Sequence, residues 1–224
     1  MTANADSLPT SDPVAEDPGE AQVKSVDTAS RKRPKPGERR VQILQALAAM
    51  LEQPGAERVT TAALASRLEV SEAALYRHFA SKAQMFEALI EFIEHSVFSL
   101  VNQLGEREPD AIARCRKLVT LLLQFGERNP GMTRVMVGDA LVFENDRLQQ
   151  RMNLFFDKIE SALRQDLREA MASGGSSTPS VDAMASASVV SAFCVGRLQR
   201  FARSGFKRLP SESLEHSLAL LLPA

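Results

Sequence analysis

From Glu38 to Leu222 the apolar residues of the chain recur three and four positions apart, and no run alternates residue by residue as a half-buried strand requires. Such a pattern folds as amphipathic helices, so the class is all-α. Ile43, Leu47, Met50 and Leu51 mark a first helix that Pro54-Gly55 closes. A short helix after Thr60 or Thr61 carries Leu64 and Leu68, and after Glu69-Val70 another starts at Ser71 and runs through Leu75 to Phe79. Ser81-Lys82-Ala83-Gln84 has the spacing of a reciprocal cap. It opens a long helix with a Phe86, Ile90, Ile93, Val97, Val101 stripe as far as Gly105. Pro109 suits the first turn of a helix that Arg128-Asn129-Pro130-Gly131 stops, and a shorter helical segment covers Met132 to Phe143. Longer helices are expected from Asp146 to Met171 and from Val181 to Phe201, separated by a Ser/Gly-rich break, with a last one from Ser211 to Leu222. No repeat of 20 to 50 residues is present.

The length, 224 residues, allows one sizeable domain or two small ones. With 44% hydrophobic and 25% charged residues the composition is that of a globular protein, and no uninterrupted apolar run of about 18 residues exists to span a bilayer. No membrane association is expected. Cys115 and Cys194 lie far apart, without His or Cys at ligand spacing, so neither a disulfide framework nor a metal site is expected and a reducing cytoplasm fits. The net charge of -1 conceals a partition. Residues 1–30 hold six acids and one base and lack the basic start and apolar core of a secretory signal. Rich in Pro, Asp, Glu, Ala and Ser, this segment is expected to be a disordered tail. Residues 31–82 hold ten bases and five acids, most densely in Arg31-Lys32-Arg33-Pro34-Lys35-Pro36-Gly37 and on to Arg40. The prolines keep residues 31–37 out of helix, which makes them a basic arm. Such an arm either neutralises phosphates or serves as a solvated linker.

Two short helices joined by a tight turn and flanked by longer ones form a helix-turn-helix, here residues 60–79 inside a module of residues 38–104. The second short helix enters the major groove while the first crosses the backbone. Leu75 and Phe79 face inward, leaving Ser71, Glu72, Ala73, Ala74, Tyr76, Arg77 and His78 for groove and backbone. Ala73 and Ala74 permit close approach and contact with thymine methyls, whereas Tyr76 and His78 suit phosphates. Lys82 adds a cation in the first turn of the next helix, and Thr60 and Thr61 supply hydroxyls. Taken singly, His78 reads as a satisfied partner and Tyr76 as an amphipathic cover for the core; together with the arm they read as a DNA face.

The string Val70-Ser71-Glu72-Ala73-Ala74-Leu75-Tyr76-Arg77-His78-Phe79-Ala80-Ser81-Lys82 resembles the hallmark of the TetR family of DNA-binding proteins. Three blocks are similar, more narrowly, to the nucleoid occlusion factors of that family. They are Arg58-Val59-Thr60-Thr61-Ala62 with Ser71 to Phe79, Leu89-Ile90-Glu91-Phe92-Ile93-Glu94, and Phe125 to Gly131 with Leu141 to Leu148. The likeness covers about Glu38 to Pro210. It implies a TetR-like fold, with residues 105–224 as a helical dimerisation and partner-binding domain. It implies further a cytoplasmic, nucleoid-associated homodimer on palindromic DNA that, once bound, engages the tubulin-like division protein FtsZ and blocks Z-ring assembly.

By the same likeness Thr60, Tyr76, His78 and Lys82 bind DNA, and Phe92, Leu121, Arg128 and Asn129 face FtsZ. The residues themselves leave two readings: Phe92 at the edge of its stripe or within a broad core, and Arg128-Asn129 reaching a partner or only capping a helix before Pro130. Ala183, Ala187, Val190, Phe193, Cys194 and Phe201 suit close helix pairing between subunits, or one buried core helix. The competing function is a ligand-responsive repressor with an effector cavity among residues 109–171, where Met132, Met136 and Met152 either line a cavity or fill a core. No small-molecule effector and no cofactor are expected in the favoured reading. An enzyme is not expected either, because three histidines, no glycine-rich phosphate loop and no nucleophile elbow assemble no acid, base and nucleophile.

Overall fold

A computed structural model describes residues 37–53 and 58–222; the acidic segment 1–30, arm residues 31–36 and the Pro54-Gly55 stop lie outside the described residues. Among the described residues the chain forms nine α-helices and one short 3-10 turn, with no strand. The helices are α1 (Glu38–Leu51), α2 (Thr61–Arg67), α3 (Glu72–Tyr76), α4 (Lys82–Arg107), α5 (Ala111–Arg128), α6 (Pro130–Met136), α7 (Asp146–Ser173), α8 (Pro179–Arg203) and α9 (Leu214–Leu221).

The apolar stripes fall where the periodicity puts them. Ile43, Leu47 and Leu51 are buried on α1, Phe86, Ile90, Ile93 and Val97 on α4, and Leu148, Met152, Phe155, Ile159, Leu163 and Leu167 on α7. Several ends differ from the sequence expectation, each for a local reason. Thr60 rather than Thr61 caps α2, its hydroxyl accepting from the Ala63 N–H at 3.2 Å. The reading helix α3 stops at Tyr76, before Phe79, because the His78 and Phe79 N–H groups both donate to the Leu75 carbonyl and tighten the last turn. Ser81 caps α4, but the Gln84 side chain reaches back to the Ala80 N–H at 2.8 Å, one residue before the place a reciprocal cap would use. Asp110, not Pro109, starts α5 through a 2.6 Å bond from the Ala113 N–H. The segment expected from Met132 to Phe143 begins earlier, at Pro130, and breaks after Met136. Gly138 there takes φ +85 and is followed by the 3-10 turn Asp139–Leu141. The last helix begins at Leu214 rather than Ser211.

Buried residues from Ile43 through Leu222 join in one hydrophobic cluster. Helices α7 and α8 pack along each other with α5 against both, α4 lies on α5 and α7, and α1 is held between α2, α4 and α6. The α1–α6 contact admits no side chain at its centre: a Cβ on Gly131 would lie 2.0 Å from the Ala48 carbonyl oxygen. Met136 and Met152 are buried in the core cluster and Met132 packs against it, so these methionines serve packing. By length and composition alone α8 is apolar enough to cross a membrane, yet one third of its most apolar window is buried inside the fold.

Candidate nucleic-acid interface

The turn between α2 and α3 is closed by the Val70 N–H donating to the Ala65 carbonyl at 3.0 Å, with Glu69 in the left-handed region at φ 53. Ser71 then caps α3 by accepting from the Ala74 N–H at 3.3 Å. Leu75 and Phe79 are buried beneath it, as their spacing requires. Ser71, Glu72, Ala73, Tyr76, Arg77 and His78 are exposed, and Ala74 is partly so. Thr60, at the start of α2, is exposed as well. Thr61 and Glu72 are turned toward one another, the hydroxyl donating to the carboxylate at 2.6 Å, which ties the first turns of the two short helices together.

Two side chains that sequence reasoning gave no positioning role organise this face. Arg40 on α1 donates to the His78 carbonyl at 2.7 Å and lays its guanidinium 4.1 Å from the centre of the Phe79 ring, so it clamps the C-terminal end of α3. A helix of five residues has too few internal bonds to stand alone, and this clamp supplies what its length lacks. The second is Glu144, which ion-pairs with Lys82 across 62 positions of sequence. Lys82 thus sits at the start of α4, over the Phe86 ring, with its ammonium already engaged. The proline-linked arm gave a visible signal for basic residues near Arg40; Glu144 falls in the block Leu141 to Leu148 that carries the likeness, but no local signal pairs it with Lys82.

A second surface lies where the end of α4 meets α5. Leu121, Arg128 and Asn129 line a groove of about 670 Å³ together with Leu100, Lys117, Gln124 and Phe125. Arg128 is exposed and makes no ion pair among the described residues. The Asn129 amide donates to the Phe125 carbonyl at 2.7 Å and caps α5, so its side chain is structurally occupied. Phe92 is 50% exposed, which removes it from the core, but it does not line this groove and stands two turns before Leu100 on α4.

Residues 43–89 match the model of bacterial regulatory proteins of the tetR family, and residues 109–223 match the SlmA-like model of tetracyclin repressor-like C-terminal domains. Over 164 residues the chain is 53% identical to the nucleoid occlusion factor SlmA of Vibrio cholerae, covering 73% of this chain and 83% of that protein. The chain belongs to the SlmA family of TetR-type proteins. A second SlmA protein, from Escherichia coli O1:K1 / APEC, is 52% identical over 70% of this chain and 79% of its own length. Among solved structures, the regulator PfmR of Thermus thermophilus superimposes with a TM-score of 0.67 at 21% identity, covering 81% of this chain and 97% of that one. The fatty acid degradation regulator FadR of Bacillus halodurans gives 0.68 at 16% identity, covering 85% and 98%. At such identity these two establish the TetR-like fold alone. Membership in the SlmA family makes the chain a helix-turn-helix DNA-binding protein rather than an enzyme.

Proposed function

We propose that this chain is a nucleoid occlusion factor. As a homodimer it binds palindromic chromosomal sites through Thr60, Thr61, Ser71, Glu72, Ala73, Ala74, Tyr76, Arg77, His78 and Lys82, and while bound it engages FtsZ and blocks Z-ring assembly over the nucleoid. The observation that carries the reading is identity above one half to proteins named nucleoid occlusion factor SlmA, over a span that includes both the reading helix and the groove. The exposed α3 face and the groove with its exposed Arg128 support it. Leu121 and Arg128 act at the groove, Asn129 shapes its rim as a cap, and Phe92 extends the partner surface along α4.

Ala183, Ala187, Val190, Cys194 and Phe201 are buried within the subunit, as the core-helix alternative has it, so that stripe does not pair subunits; a dimer is supported instead by the other face of α8, where Val181, Met184 and Val189 are each more than half exposed, along with the small exposed residues Ser188, Ala192 and Gly196. A Cβ on Gly196 would meet nothing within 4 Å, so the helix has room for a second backbone. Reading a palindrome needs two copies of α3 about 34 Å apart, and a four-helix interface of α7 and α8 from each subunit is the economical way to hold such a pair. Such a protein resides in the cytoplasm, on the nucleoid.

The test is FtsZ sedimentation with GTP in the presence of the protein alone, of the protein with a palindrome selected from random sequence, and of the protein with unrelated DNA. Disruption of polymers chiefly with the selected DNA is expected, and Arg128→Ala is expected to bind that DNA normally yet leave polymers intact. Tight DNA binding with polymers that never respond overturns the reading in favour of a ligand-responsive repressor.

A further inference from the structure

Three ion pairs join α4 to the turn before α7 and to the first turns of α7: Lys82 with Glu144, Glu87 with Arg147, and Glu94 with Arg151. The last two join charges that stay on the body of the protein. The first differs, because Lys82 occupies the first turn of the helix that follows α3 and is a proposed phosphate contact, so this inference rests on the DNA-binding reading above. An ammonium has one charge and strong hydration; paired with a carboxylate it offers little to a DNA phosphate, and the two anions compete for it. Glu144 is well placed to compete, its side chain being only 8% exposed against 26% for Lys82, so water compensates it poorly when the cation leaves.

We propose that Glu144 is a built-in competitor for the DNA backbone: it holds the Lys82 ammonium until a phosphate replaces it, so that DNA binding and release of the turn before α7 are one event. The turn is suited to respond. It begins with the short 3-10 segment entered through Gly138, and two apolar side chains that follow this segment, Val142 and Phe143, stand at 70% and 65% exposure next to Glu144. Removing the charge at position 144 frees the cation, and DNA then binds without first breaking a pair.

The measurement is binding of the full chain to the selected palindrome by fluorescence anisotropy at several salt concentrations. It compares wild type, Glu144→Gln, Lys82→Gln and the double variant, with melting temperatures recorded alongside. Glu144→Gln is expected to tighten binding about three- to tenfold, the range set by the strength of a partly exposed pair. That gain is expected to vanish on the Lys82→Gln background. Glu144→Asp, which withdraws the carboxylate by one methylene, gives a smaller gain and serves if the glutamine variant does not fold. Unchanged or weaker binding by folded Glu144 variants, or a gain that persists without Lys82, overturns the proposal. Should Lys82→Gln alone leave affinity and salt slope at wild-type values, the assignment of Lys82 to DNA fails and the competition with it. Loss of affinity in Lys82→Gln with no gain in the Glu144 variants refutes the competition only.

Discussion

Gly131→Ala tests the closest approach in the fold. Its Cβ would stand 2.0 Å from the Ala48 carbonyl oxygen and 2.9 Å from the carbonyl carbon, both backbone atoms of α1. Ordinary contact begins near 3.4 Å, so α1 and α6 must separate by about 1.4 Å along that line, and neither partner is a side chain able to rotate away. Overpacking of this kind costs about 1–3 kcal/mol, and alanine recovers less than about 1 kcal/mol of helix propensity near a helix start. A net loss of roughly 1–2 kcal/mol lowers the melting temperature by about 2–8 °C in a chain of this size. The matched control is Gly105→Ala on α4, where a Cβ meets nothing within 4 Å and the same substitution stabilises by about 0.5–1 kcal/mol. Thermal unfolding of both variants at one fixed protein concentration decides the matter. If Gly131→Ala melts at or above wild type while Gly105→Ala rises, the reasoning about the α1–α6 contact is refuted.

Thr60→Ala removes the α2 cap and a hydroxyl of the proposed DNA face, so it is expected to lose about 1 kcal/mol of stability and to weaken DNA binding evenly across sequences, whereas changes at Ala73 or Ala74 are expected to shift base preference; footprinting on a site library separates the two. Arg114→Ala deletes bonds to Asp166 (2.8 Å), to Glu169 (2.6 Å) and to the carbonyls of Glu108 and Pro109. Because burial already pushes the Asp166 carboxyl up and the Arg114 guanidinium is what restrains it, a loss of about 2–4 kcal/mol in urea unfolding is expected, well above that of a surface pair. Burial drives the Cys115 and Cys194 thiols up to about 12. Raised folded values mean stability that is complete below the unfolded thiol range near 9 and declines as pH climbs from there toward 12. At pH 8 both thiols should react with a disulfide reagent only as fast as the chain opens, and immediate labelling would contradict their burial.

Much of the helical framework was legible because burial on one face leaves a period of three to four residues, which α1, α4 and α7 keep throughout. The helix-turn-helix was legible for a second reason, that Ser71 and Ser81 announce their helices chemically. What failed were signals two mechanisms contest: Pro109 and Asp110 both open helices, and a side-chain bond decided for Asp110. The break after Met136 hides in a Gly whose positive φ has no periodic trace. Around the site, the exposed side chains of α3 followed from the residues that must be buried beneath them. The partners that organise them did not, because Lys82 and Glu144, or Arg40 and His78, meet only after the chain has folded back over dozens of residues.

The reading helix, five residues long, takes its pose from outside itself. Arg40 sets the tilt of its far end from α1, and the Thr61–Glu72 bond sets its near end from α2. The pose of α3 is therefore a shared property of three helices, and so is any base preference that the proposed reading gives it. A substitution on α1 at Arg40 can re-aim the exposed side chains of α3, Ala73 and Tyr76 among them, without touching α3 itself.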